Sequence, residues 1–173
     1  MITIIAGTDR QDSNTLRVAE AYAEQFDIQK ADHKLYALSS LPADFFTEGR
    51  YGTPPPSFEQ VLNKQIRPAE KFLFVVPEYN GSFPGVLKFF LDIVHPETWA
   101  GKKTALAGVA SGRAGNLRGL DHLTGVMHYL KAEVLHQKPL YSSIHLHLNG
   151  EGKCVNEEYN ILMKTHAEAL IKF

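Results

Sequence analysis

Three short loops carry most of the residues in this 173-residue chain that are able to bind a ligand. The first, Gly7-Thr8-Asp9-Arg10-Gln11-Asp12-Ser13-Asn14-Thr15, sets hydroxyls, an amide and a guanidinium just ahead of a helical pattern. A helix N-terminus offers free N–H groups and the positive end of its dipole, so this loop suits a phosphate. Thr8, Arg10, Ser13, Asn14 and Thr15 are the candidate ligands. Asp9 and Asp12 oppose an anion unless they point away, and Asp12 or Ser13 also suits a plain helix N-cap. No Gly-Lys-Ser/Thr follows Gly7, which excludes a Walker A loop, and G-x-G-x-x-G is absent, which excludes the dinucleotide fingerprint. The second loop runs Pro77-Glu78-Tyr79-Asn80-Gly81-Ser82-Phe83-Pro84-Gly85. Tyr79 can lie flat on a ring, Asn80 and backbone amides can bond a heterocycle edge, and Gly81 and Gly85 permit close backbone approach. Its plain alternative is a pair of turns with Pro84 opening a helix. The third loop, Ser111-Gly112-Arg113-Ala114-Gly115-Asn116, uses Gly112 and Gly115 for close approach or positive φ, or is simply a strand-to-helix turn.

The elements around these loops put them together. Ile2-Thr3-Ile4-Ile5-Ala6 is apolar and β-branched and stops at Gly7, as a strand buried on both faces does. Leu16, Ala19, Ala23 and Phe26 recur at helical spacing, and His33 to Leu38 forms a weaker second strand. Residues 39–57, with Pro42, Gly49, Gly52, Pro54, Pro55 and Pro56, form a long irregular connection of a length often tied to function. A short helix over Phe58 to Ile66 leads into Lys71 to Val76, the clearest strand. Val86 to Val94 reads as a helix, Thr104 to Ala110 as a strand and Leu117 to Leu130 as a helix. Glu133 to Leu148 holds the last strand, and Tyr159 to Leu170 marks a closing helix. Strands alternating with helices give right-handed crossovers and a parallel sheet. Ligands of such sheets sit at the carboxyl ends of the strands. The three loops follow strands one, three and four, so all three lie on that edge.

Composition narrows the function. Lys and Arg number 18 against 19 Asp and Glu, a net charge of −1. That balance argues against a nucleic-acid surface and against an electron shuttle steered by a single-sign field. The single cysteine, Cys154, excludes an intramolecular disulfide and fits the cytoplasm. No apolar run is long enough to span a membrane, and no basic segment precedes the first strand as in a signal peptide. One domain, residues 1–173, is expected.

The second loop, continued through Val86-Leu87-Lys88, closely resembles the signature of NADPH-dependent FMN reductases. Gly7-Thr8-x-Arg10-x-x-Ser13-Asn14-Thr15 is similar to their phosphate loop, with Thr8 where serine is usual. Ser111-Gly112-x-x-Gly115-x-Leu117-Arg118 resembles their third loop, with Asn116 where glycine is common. The resemblance implies a flavodoxin-like three-layer sandwich, a five-stranded parallel sheet with helices on both faces. It implies bound FMN, with Thr8, Arg10, Ser13, Asn14 and Thr15 at the phosphate. Pro77, Glu78, Tyr79, Asn80 and Gly81 would lie on one side of the ring, and Ser111, Gly112 and Gly115 at its pyrimidine edge. It further implies NADPH or NADH as reductant, and free flavin, a quinone, an azo compound or a metal oxyanion as the small-molecule electron acceptor. No catalytic side chain is assigned, because the flavin carries the chemistry. The alternatives are an FMN electron carrier that ignores NAD(P)H, and a non-enzymatic relative with a partner-binding surface.

Other features rank lower. His145-x-His147 has strand spacing that would put both rings on one face, but no Asp, Glu or Cys lies at a metal-ligating interval, so no metal site is expected. His122 and His128 fall on different faces of a helix, and Cys154 has no identifiable histidine partner. Phe89, Phe90, Ile93 and Val94 make their helix apolar on more than one face, so it is deeply buried or at an interface. With the resemblance, this points to a homodimer or a dimer of dimers. Tyr79, Phe83 and residues 42–57 are expected to wall the acceptor site.

Overall fold

Burial on both faces organises the centre of the sheet. A computed structural model describes every residue, Met1–Phe173, and places Ile2–Ala6 (β1), His33–Ala37 (β2), Lys71–Pro77 (β3) and Lys103–Val109 (β4) in parallel. Glu133–Val134 (β5) and Leu140–Tyr141 (β6) both pair with β4, so the sheet order is β2-β1-β3-β4-β5, with β6 beside the carboxyl end of β4. The helices are Asn14–Ile28 (α1), Ala43–Thr47 (α2), Glu59–Val61 (α3), Gly85–Ile93 (α4), Leu117–Tyr129 (α5) and Glu157–Lys172 (α6). A π-helical turn, Leu62–Ile66, continues α3.

Successive strand residues point to opposite faces. Ile4, Ala6, Leu73, Val75, Ala105 and Ala107 pack toward Tyr22 and Phe26 of α1 and Met163 and Leu170 of α6. Ile5, Phe72, Phe74, Val76 and Leu106 pack toward Leu87 and Phe90 of α4 and Leu120, Leu123 and Met127 of α5. The result is the three-layer sandwich expected. Registers set the strand ends level, with Ala6 beside Val75 and Pro77 beside Val109. The loops after β1, β3 and β4 therefore leave from one edge.

The fifth strand corrects an expectation. Strand material does not run through Glu133 to Leu148; β5 and β6 hold the fifth position in two pieces. Pro139 lies between them, where it accepts from Gly108 N–H at 2.9 Å but has no N–H to give back. Beyond β6 the chain turns into a 3-10 helix, Ile144–Leu146. His145 and His147 therefore do not share a strand face. His147 packs edge-on against Tyr159, at 5.0 Å between ring centroids, and its Nδ1 lies 3.2 Å from the Asn156 amide.

The apolar excess of α4 is used within the chain. Phe90, Ile93 and Val94 are buried, and Phe89 stacks on Phe46. Phe46 belongs to α2, inside the Pro-rich stretch. Its neighbour Phe45 is fully buried against Phe58, at 4.9 Å, and Phe90. A buried phenylalanine contributes about 1.5–3 kcal/mol. Gly52 N–H also bonds the Asp92 carbonyl at 2.8 Å. Residues 42–57 are thus a packed cover on α4.

Candidate functional site

The cleft at the carboxyl edge is built first by α1. Ser13 caps the helix, its hydroxyl accepting from Leu16 N–H at 3.1 Å. The amides of Asn14 and Thr15 make no bond within the chain, and the first turn holds no acid. Arg10 is exposed and enters no ion pair. Two free amides, the helix dipole and an uncommitted guanidinium form an anion site at the mouth of a cavity of about 240 Å³. The residues present therefore fit the phosphate end of FMN.

The cavity is lined by Arg10, Ser13, Asn14, Thr15, Pro77, Glu78, Tyr79 and Ser111, all candidates from the sequence. Thr8, Asn80, Gly81, Gly112 and Gly115 do not line it. Four of these five have another place. Thr8 is buried, its Oγ1 is 2.8 Å from Tyr79 Oη and accepts from Arg10 N–H, so it ties the first loop to the second. Asn80 and Gly81, at φ 51° and 77°, are the two central residues of a tight turn in which Tyr79 and Ser82 exchange backbone hydrogen bonds. Gly115, at φ 58°, lies so close to β6 that a Cβ would sit 2.6 Å from Leu140 Cβ. Gly112 meets no such limit, since a Cβ there has nothing within 4 Å.

Four lining residues were not among the candidates: Asp12, Val109, Ala110 and Ile144. Asp12 opposes an anion by its charge, and Val109 and Ala110 carry only a strand signal in the sequence. Ile144 gave no signal, because its place depends on the turn after β6. Ala110 N–H bonds the Tyr141 carbonyl at 3.1 Å, and Ile144 N–H bonds the Ala110 carbonyl at 3.1 Å. No residue of 42–57 lines the cavity.

A buried amide holds the second and third loops together. Asn116 is fully buried at φ 70°, and its Nδ2 donates to the carbonyls of Val76 at 3.0 Å and Pro77 at 2.9 Å. Asparagine tolerates this left-handed conformation, which explains how it replaces the glycine common in similar loops. Gly119 makes room for it: a Cβ there would fall 2.1 Å from Asn116 Oδ1. On the outer rim, Ser82 Oγ lies 2.8 Å from Nδ1 of His122, on α5.

Behind the cavity wall, Tyr22 Oη lies 2.7 Å from Tyr141 Oη and 2.8 Å from His166 Nδ1. Burial pushes both phenols up and the His166 imidazole down to about 4, with the Gln137 backbone working against that drop.

A parallel sheet with its ligand cleft where the first helix begins defines the flavodoxin-like class. Residues 1–144 match the family described as NADPH-dependent FMN reductase, and the chain belongs to that family. It is 29% identical over 176 residues to a 2-hydroxy-1,4-benzoquinone reductase of a Burkholderia species, covering 95% of this chain and 90% of that protein. It is 32% identical over 141 residues to an NAD(P)H-dependent FMN reductase of Pseudomonas aeruginosa, covering 79% and 75%. Among solved structures, an oxidoreductase from Corynebacterium diphtheriae superposes with a TM-score of 0.76 at 19% identity, over 99% of this chain and 97% of that one. A short-chain flavodoxin superposes at 0.61 with 15% identity, over 99% and 95%, which bears on fold alone.

Proposed function

We propose that the chain oxidises NADPH or NADH with FMN held at the carboxyl edge and reduces a small acceptor, with a quinone as the leading class. The observation that carries this reading is the convergence of the loops after β1, β3 and β4 on one cavity beside the free amides of α1. Arg10, Ser13, Asn14 and Thr15 hold the phosphate in this reading. Pro77, Glu78, Tyr79 and Ser111 bound the ring, with Ile144 closing the side. Thr8, Asn80, Gly81, Gly112 and Gly115 act through the backbone or through Tyr79. The chemistry FMN supplies when bound is two-electron transfer from NAD(P)H to the acceptor. The residues around it bind, orient and screen.

Flavin titration tests this. FMN is expected to bind more tightly than FAD, since nothing in the first loop is built for a pyrophosphate. Arg10→Ala should weaken FMN about 10- to 100-fold and leave riboflavin unchanged, because a hydrogen bond to a charged group contributes about 1.5–3 kcal/mol. Anaerobic NADPH or NADH should then bleach the flavin absorbance. Tighter FAD binding, or no bleaching by either nucleotide, overturns the reading.

A homodimer or a dimer of dimers is part of the same proposal. Its support is a groove between α4 and α5 with Tyr51 and Tyr129 exposed at 72% and 85% on its rim. Sedimentation showing a monomer at all concentrations would rule it out. A cytoplasmic location rests on the single cysteine.

A further inference from the structure

We propose that Thr8 is a positioning residue for the flavin ring and not a phosphate ligand: its hydroxyl holds the Tyr79 ring in place as a preset wall of the cavity. This rests on the FMN-binding reading above and departs from the place that the family resemblance gives Thr8. Three observations carry it. Thr8 is 2% exposed and does not line the cavity, and both partners of its Oγ1 belong to the chain, Tyr79 Oη at 2.8 Å and Arg10 N–H at 3.2 Å. Tyr79 does line the cavity, and the Thr8 hydroxyl is the one partner its own hydroxyl has. Both ends of the tie are fixed by backbone. Gly7 N–H bonds the Val75 carbonyl at 2.8 Å and Thr8 N–H bonds the Ala6 carbonyl at 2.9 Å, which anchors Thr8 to the end of β1. Tyr79 and Ser82 exchange backbone bonds at 2.9 and 3.0 Å, which anchors Tyr79 in its turn.

A ring held at its backbone and at its hydroxyl has lost its freedom before a ligand arrives. Tyr79 is 38% exposed, so without the tie its ring would swing toward solvent and would have to be ordered when a flat ligand binds. Ordering one such side chain on binding corresponds to about 2- to 10-fold in affinity. Threonine suits the task because its β-branch restricts χ1 and so fixes where Oγ1 points. The tie bears on the part of the cavity that Tyr79 walls, while Arg10, Asn14 and Thr15 remain for the phosphate. Its signature is therefore a loss shared by FMN and riboflavin, the opposite of the Arg10→Ala pattern.

Flavin titration of a double-mutant cycle tests this. Riboflavin is the decisive probe, because it lacks the phosphate and is blind to the Arg10 N–H that Thr8→Val also frees. Thr8→Val and Tyr79→Phe are each expected to weaken riboflavin about 3- to 10-fold. The double variant should lose no more than either single one, since both remove the same tie. Thr8→Ser keeps the hydroxyl and should stay within about twofold of the wild type. For FMN, Tyr79→Phe should cost the same factor as for riboflavin. An unchanged riboflavin affinity in either single variant, or losses that multiply in the double variant, overturns the proposal. A Thr8→Val variant that loses FMN affinity alone returns Thr8 to the phosphate and overturns it as well. Bleaching by NADPH or NADH reports the underlying function separately. A protein that shows this binding pattern and is not bleached keeps the role of Thr8 and loses the oxidoreductase reading.

Discussion

Asn116→Gly is expected to lower the stability of the protein by about 2–3 kcal/mol and to weaken FMN binding with it. The side chain is fully buried and gives its only amide group to two carbonyls at the end of β3. Removing a donor from a buried acceptor costs about 1–3 kcal/mol. Glycine keeps the left-handed backbone at φ 70°, so this variant removes the two hydrogen bonds and the side chain's packing without straining the turn. Asn116→Ala should fall further, by roughly 1–2 kcal/mol, because alanine also strains that backbone. The effect reaches the site because Pro77, one of the two carbonyl partners, lines the cavity. Urea unfolding of the apo proteins, with FMN titration beside it, measures both. Wild-type stability in the glycine variant would show that these bonds contribute nothing.

Asn116 also marks where sequence and structure part. The strands were legible because their signal is local. Ile2 to Ala6 coincides with β1, while β3 runs one residue past the expected Val76 and β4 is offset by one, at Lys103–Val109. The cleft was legible to the same degree, since strand order alone puts three loops on one edge. Contacts between loops were not legible. The Thr8–Tyr79 hydroxyl pair spans 71 positions, and neither residue type announces the other. Thr8 therefore reads as a phosphate ligand, and in the structure its hydroxyl meets Tyr79 Oη. The Pro-rich stretch hid α2, which is too short to show a periodicity, and with it Phe45 and Phe46. Its burial on α4 answers the question that the apolar α4 pattern raised, and none of residues 42–57 lines the cavity. The fifth strand failed for a related reason. Its apolar residues fit a strand, but Pro139 leaves no N–H to continue the ladder, and Ile144 reaches the cavity only through the turn that follows.

Acid is expected to weaken the fold through His166, with the loss falling between about pH 6.5 and pH 4. The ring is 3% exposed, and its Nδ1 lies 2.8 Å from the Tyr22 hydroxyl. Burial lowers its pKa to about 4, against an unperturbed value of about 6.5 in the unfolded chain. Between those values the unfolded state binds the extra proton and the folded state does not. The stabilising contribution is therefore fully present above pH 6.5 and fades as pH falls through the window. Its size follows from the difference, about 3 kcal/mol. Protonation makes both ring nitrogens donors, so Nδ1 can no longer accept from the Tyr22 hydroxyl, which also meets Tyr141 Oη. Tyr141 shares its backbone bonding with Ala110, which lines the cavity, so FMN affinity should decline over the same range. His166→Gln replaces the ring with an amide that does not titrate. Urea midpoints taken from pH 4.5 to pH 7.5 should fall more steeply in the wild type than in this variant. Parallel pH curves for the two proteins would mean that the His166 proton is not linked to folding.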